Sequence, residues 1–165
     1  MRNKQKGFSL IELLIVVAII LIIAAIAIPN LIRSRMAANE ASAVASIRTV
    51  NTSEIVYSST YTLGFSASLS TLGDGGTPAN CVPPAIPVAA SSCLIDGALE
   101  TGTKSGYNFA YVPTATAGVN GVYKITGTPI SVGATGQRAF CSNQTVVIYQ
   151  NPGGATCTPG TDPVL

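Results

Sequence analysis

The sequence predicts an α+β fold: one long N-terminal α-helix, its first half long enough to span a membrane, packed on a small antiparallel β-sheet. Three observations carry this. An uninterrupted apolar run, LLIVVAIILIIAAIAI, occupies residues 13–28, and helical spacing continues to residue 58 without glycine. Short alternating segments separated by glycine-containing turns follow from residue 107. Between them lies text rich in Gly, Ser, Thr and Pro. At 165 residues the chain has room for one ordinary domain with an appendage. It is 47% hydrophobic and 10% charged, with a mean hydropathy of +0.44, more apolar than one soluble core of this size requires.

The N-terminal element explains the excess. Phe8–Ile28 is apolar except for Ser9 and Glu12. As a helix rising ~1.5 Å per residue it reaches roughly 30 Å, the thickness of a bilayer's hydrocarbon core. Arg2, Lys4 and Lys6 precede it, and residues 8–165 carry six basic against seven acidic side chains, so the +2 of the whole chain becomes −1 without the first seven residues. A secretory signal peptide, with Ala25-Ile26-Ala27 as cleavage site, is one reading, but the apolar run is long and an acid at its start is anomalous. A plain anchor is another, yet Arg33 and Arg35 on the far side weaken the positive-inside asymmetry. Neither accounts for Glu12, because a carboxylate in an apolar spanning helix costs about 2.5–3.5 kcal/mol on insertion scales and calls for a partner.

Lys6-Gly7-Phe8-Ser9-Leu10-Ile11-Glu12 resembles the processing site of type IV pilins and the pseudopilins of type II secretion, a basic leader ending in Gly, then Phe, then an acid four residues on. Pro29, just behind the apolar run, matches a further feature of that family. The resemblance implies cleavage after Gly7 by a membrane-embedded prepilin peptidase, methylation of the new N-terminal Phe8, and a need for Glu12 in assembly. Gly7 brings no side chain into the peptidase site. In a filament of packed helices the Glu12 carboxylate would meet the Phe8 amine of a neighbouring subunit, turning a cost in the monomer into a register signal in the polymer.

Residues 30–58 continue the helix, with Ala37, Ala41, Val44, Ile47, Asn51 and Ile55 at helical spacing and Pro29 as a kink, since proline removes one ladder hydrogen bond. Met36, Val44, Ile47, Val50 and Ile55 read as core. The small residues at 37, 38, 41, 43 and 45 permit close approach either of another subunit or of the chain's own sheet. Four prolines make 73–92 an irregular loop, and 93–101 holds room for a short helix. The strands expected are 107–112, 122–126, 138–141 and 145–149, a three- or four-stranded meander laid on helix residues 40–57, with Tyr107, Phe109 and Tyr111 on one face. The segments GYNFAY, GVYKITGTP and RAFC also resemble the sheet of the same family.

Chemistry of the common enzymatic kinds is disfavoured. With no histidine there is no imidazole base, no Ser-His or Cys-His pair and no His-containing zinc site. Nucleic-acid binding as a main role is disfavoured by the few, scattered basic residues. Cys81, Cys93, Cys141 and Cys157 are even in number and lack CxxC spacing, so disulfides in an oxidising exterior are expected over a tetrathiolate zinc site. Three pairings are open; Cys81–Cys93 with Cys141–Cys157 closes the shortest loops, at ~2–4 kcal/mol per bridge. Asp74, Asp96, Glu100 and Asp162 are too scattered for calcium and read as solvated loop acids. Neither metal nor cofactor is expected. No aromatic residue lies between Phe8 and Tyr57, which argues against an electron path along the helix, and Asn51-Thr-Ser and Asn143-Gln-Thr match glycosylation sequons.

The expected organisation is a cleaved leader 1–7, a transmembrane or filament-core segment 8–29, and an exported domain 30–165, itself helix 30–58, loop 59–104, sheet 105–150 and C-terminal loop 151–165. The resemblance implies a structural subunit of an extracellular type IV pilus serving adhesion, motility or DNA uptake. Its partners would be other copies of itself in a helical polymer, the prepilin peptidase and an inner-membrane assembly platform. The precursor would sit in the inner membrane with its N-terminus cytoplasmic. The alternatives are a periplasmic pseudopilin of type II secretion and a membrane-tethered binding module that does not polymerise.

Overall fold

The computed structural model describes residues 8–116 and 118–165; Gly7 and the rest of the expected leader lie outside them. The chain divides into two compact units, one ending at Arg35 and one comprising Met36–Leu165, and each is described by itself.

Helix α1 runs from Leu10 to Tyr61 with Pro29 inside it. Up to Arg35 its apolar side chains have no cover: Leu10 is 80% exposed, Ile26 71% and Leu31 69%. An 18-residue window there has a mean hydropathy of 3.3 with none of it buried, so this helix is long and apolar enough to cross a membrane.

From Met36 on, α1 buries one stripe, Glu40, Ala43, Ile47, Val50, Asn51, Glu54 and Tyr57, at the three- and four-residue spacing of a single helix face. Ile55, expected in the core, is instead 52% exposed, and Val44 is only half-buried. The reason lies one position away: Glu54 takes the inward place, fully buried, because Ser66 supplies its carboxylate with hydrogen bonds from N–H at 2.9 Å and from Oγ at 2.5 Å. Ala43 faces inward, whereas Ala37, Ala38, Ala41 and Ala45 remain exposed.

The span 59–104 is not only loop. It holds helix α2 (Leu69–Leu72), started by a reciprocal Ser68–Thr71 capping box, and helix α3 (Gly97–Glu100), capped by the Asp96 carboxylate accepting from Leu99 N–H at 2.9 Å. A 3₁₀ turn, Pro78–Cys81, also forms, with proline at the helix start where its missing N–H costs nothing.

The sheet has five strands in sequential antiparallel order: β1 (Thr103–Lys104), β2 (Tyr107–Thr116), β3 (Val119–Pro129), β4 (Ala139–Asn143) and β5 (Tyr149–Asn151). It therefore has five strands where three or four were expected, and β2 and β3 are longer, in register from Tyr107↔Pro129 with an irregularity at Thr114/Ala115. The expected strand 145–149 does not form. Asn143 Oδ1 accepts from Thr145 N–H at 3.0 Å and Thr145 Oγ1 at 2.7 Å, and Val146 N–H closes on Asn143 C=O at 2.8 Å. This Asx-type turn overrides the β-propensity of Val146 and Val147, and pairing resumes only at Tyr149.

The core lies between the sheet and the second part of α1. Tyr107, Phe109, Tyr123, Ile125 and Phe140 meet Ala43, Ile47, Val50 and Tyr57, with Leu69, Leu72 and Leu99 closing one end. Tyr111 stacks on Tyr123 at 5.7 Å between centroids, and Phe65 meets Tyr123 edge-on at 4.8 Å.

Candidate functional site

The N-terminal residues on which assembly would depend form one short constellation. Phe8 is 77% exposed. Ser9 precedes the first helical residue, Leu10, and Glu12 sits three residues after Ser9, so Ser9-Leu-Ile-Glu12 has the spacing of a capping box. The structure makes one half of it: Glu12 Oε2 accepts from the Ser9 N–H at 2.9 Å. A carboxylate in the first turn also answers the positive end of the helix dipole. Sequence reasoning had sought a cation for Glu12 and missed this local partner; the S-x-x-E spacing before an apolar run was the available signal. Glu12 is exposed, and its Oε1 makes no hydrogen bond among the described residues, so one oxygen holds the helix start and the other remains an open acceptor there. Pro29 stands within the same helix, where the lack of its N–H leaves the Ala25 carbonyl without the usual ladder donor.

In the unit Met36–Leu165 the cysteines are brought together as two pairs. Cys81 bonds to Cys93, closing the proline-rich loop, and Cys141 on β4 bonds to Cys157 in the C-terminal segment. Asp162 comes within 4.8 Å of the second pair, but both sulfurs are occupied by the disulfide. That segment is tied down further, since Gln150 N–H donates to Pro163 C=O at 2.9 Å and Leu165 N–H to Ile148 C=O at 3.0 Å.

The loop acids are not merely solvated. Glu100 accepts from the backbone N–H groups of Asp74 at 3.0 Å and Gly76 at 2.7 Å, so the Gly-Asp-Gly-Gly turn wraps a carboxylate rather than offering one to a cation. Asp162 Oδ2 accepts from Thr158 N–H at 2.7 Å. Asp96, besides capping α3, pairs with Lys104 at 2.6 Å, and that partner holds its carboxyl below the ordinary aspartate value.

Two further acids tie α1 to later segments of the same unit, Glu40 to the stretch that leads into β4 and Glu54 to Ser66, and sequence reasoning singled out neither. Glu40 accepts from the N–H groups of Gln137 at 2.8 Å and Arg138 at 3.1 Å, and pairs with the Arg138 guanidinium through Nε at 2.9 Å and Nη2 at 2.8 Å. Burial pushes its carboxyl up, but the Gln137 and Arg138 donors outweigh that and hold it below the ordinary glutamate value. Its partners lie 97 and 98 positions away, too far for any local pattern to reveal. Glu54 is the other. Asn51, the first sequon residue, is fully buried, donating to Ser142 Oγ at 2.8 Å and accepting from Tyr123 Oη at 3.0 Å; in the folded chain it is closed to modification. No buried side-chain nitrogen or oxygen among the described residues lacks a hydrogen-bond partner. The polar interior is therefore satisfied within itself, as befits a scaffold.

Comparison with known proteins adds to this geometry. The family model described as the prokaryotic N-terminal methylation motif matches residues 2–28. The type IV wide pilus major component PilA4 of Thermus thermophilus is 43% identical over 101 residues, covering 59% of this chain and 76% of that protein. No solved structure matches the chain. With three quarters of a pilus subunit matched at that identity, and the methylation motif overlying the uncovered apolar helix, this chain belongs to the type IV pilin family and is a pilin subunit.

Proposed function

We propose that the chain is made as a precursor anchored in the inner membrane by residues 8–29, with its N-terminus cytoplasmic and residues 30–165 exported. A prepilin peptidase then cuts it after Gly7 and methylates Phe8, and the product polymerises through α1 into an extracellular type IV pilus. The observation that carries this reading is the helix from Leu10 to Ile32, apolar but for Glu12 and the Pro29-Asn30 step, and without cover in its own chain. Lipid covers it before assembly and neighbouring α1 helices afterwards. Similarity to a pilus component favours the pilus over a secretion pseudopilus. Pro29, lacking a ladder donor, is where the helix bends as it passes from the filament core to the exported body.

Glu12 has two successive partners in this scheme. In the precursor Oε2 caps Ser9, and in the polymer Oε1 receives the Phe8 amine of the adjacent subunit. Glu12→Gln keeps an acceptor for the cap but loses the charge, whereas Glu12→Ala loses both. The scheme predicts that both variants reach the membrane and that both lower filament yield from sheared cells by about tenfold or more, the equivalent of ~1.4 kcal/mol per subunit contact. Wild-type yield from Glu12→Gln beside loss in Glu12→Ala would reduce Glu12 to a helix cap.

A further inference from the structure

Arg33 and Arg35 are the first charges after Glu12, and the anchored reading puts them on the exported side, where a positive-inside bias works against them. Both are exposed, and neither makes an ion pair or a side-chain hydrogen bond among the described residues. A second copy has little to offer them. Glu40 is held by Arg138, Asp96 by Lys104, Glu54 by Ser66, Glu100 by two backbone N–H groups, Asp162 by Thr158 and Glu12 by Ser9. Only the Asp74 carboxylate makes no hydrogen bond among the described residues. With most acids of a second copy already engaged, the phosphates of the surrounding membrane are the nearest anions in the anchored state.

The surface beside Arg33 suits one source. Ala27, Ile28 and Leu31 form the apolar foot of a shallow groove on α1, and Asn30, Arg33 and Ser34 its polar end. Arg33 lies five residues past the apolar run, roughly 7.5 Å along the axis, within reach of a headgroup plane for a side chain that extends toward water. A guanidinium matches a phosphate with two parallel hydrogen bonds, and the Asn30 amide and Ser34 hydroxyl add donors. Arg35 is rotated by about 200° around the helix, on nearly the opposite side.

We propose that Arg33, with Asn30 and Ser34, binds the headgroup phosphate of an anionic phospholipid in the exported-side leaflet, an acyl chain lying along Ala27, Ile28 and Leu31, and that Arg35 engages a second headgroup across the helix. The site holds the subunit at a fixed depth before it joins the filament, and the lipid is left behind when neighbouring helices replace the bilayer. This rests on the anchored reading above.

The test uses the full chain in vesicles of phosphatidylethanolamine with phosphatidylglycerol confined to the exported-side leaflet, so that Arg2, Lys4 and Lys6 face only zwitterionic lipid. Insertion is checked by protease protection, and the lipids retained around the protein after polymer extraction are counted by mass spectrometry. Phosphatidylglycerol should be enriched about fivefold or more over the bulk in wild type. It should fall to the bulk ratio in the Arg33→Gln/Arg35→Gln chain and be retained in large part by Arg33→Lys/Arg35→Lys. Equal retention in wild type and the Gln chain, or a wild type at the bulk ratio, overturns the proposal. A wild type that fails to insert instead sinks the anchored reading on which it rests.

Discussion

At the scale of single residues, Glu40 shows how one carboxylate joins distant parts of the unit Met36–Leu165. It sits on α1 and gathers two backbone N–H groups and a guanidinium from the segment that leads into β4. Glu40→Ala would leave the Gln137 and Arg138 N–H groups without their acceptor and should cost about 2 kcal/mol, read from denaturant unfolding of the unit Met36–Leu165. Because the folded pKa of Glu40 lies below its ordinary value, its contribution is complete above about pH 4.5 and disappears as pH falls through the lowered value. The tyrosines work in the other direction. Burial raises Tyr107 to about 12 and raises Tyr111 and Tyr123 as well, so the folded state keeps protons that the unfolded chain releases above about pH 10. Stability should hold below pH 10 and fall as pH climbs toward 12, measured by tyrosine absorbance and circular dichroism together. Gly136 marks another tight point, since a Cβ there would meet the Tyr107 ring at 2.7 Å from Cζ. Gly136→Ala should therefore push the phenol from the Arg138 carbonyl it donates to at 2.7 Å and lower the melting temperature by several degrees.

At the scale of elements, the two disulfides act on different segments. Cys81–Cys93 closes a loop with little core of its own, whereas Cys141–Cys157 ties the C-terminal segment to β4 at a fully buried cysteine pair. Replacing Cys141 and Cys157 by Ser should cost more than the same change at 81 and 93, with each bridge worth ~2–4 kcal/mol. Equal melting temperatures for the two variants would refute that ranking. The elements also show what a sequence discloses. The processing motif, the apolar stripe and α1 are local or periodic, and so were legible, as were the shared face of Tyr107, Phe109 and Tyr111 and the two regions that pair around Gly118. Strand β5 was misplaced because the side chain of Asn143, not the propensity of the valines after it, decides where the backbone turns. Glu54 displaced Ile55 from the core because a serine 12 residues on could satisfy a buried carboxylate, and spacing alone does not report such a partner.

At the scale of the whole molecule, the high hydropathy has a location. The unit Met36–Leu165 has an ordinary core, its buried side-chain polar atoms paired among the described residues, while the excess lies in the uncovered first part of α1 from Leu10. A surface of that kind calls for cover, and the proposed function supplies it as lipid first and copies of the chain afterwards. The proposed cleavage would change the charge as well, from +2 for the whole chain to −1 for residues 8–165. Intact-mass and N-terminal analysis of filaments sheared from cells tests the account most directly. It predicts subunits that begin at an N-methylated Phe8 and carry two disulfides. Filament subunits that begin at Met1 or Ile28, or filaments that lack this chain while it stays in the membrane, would contradict it.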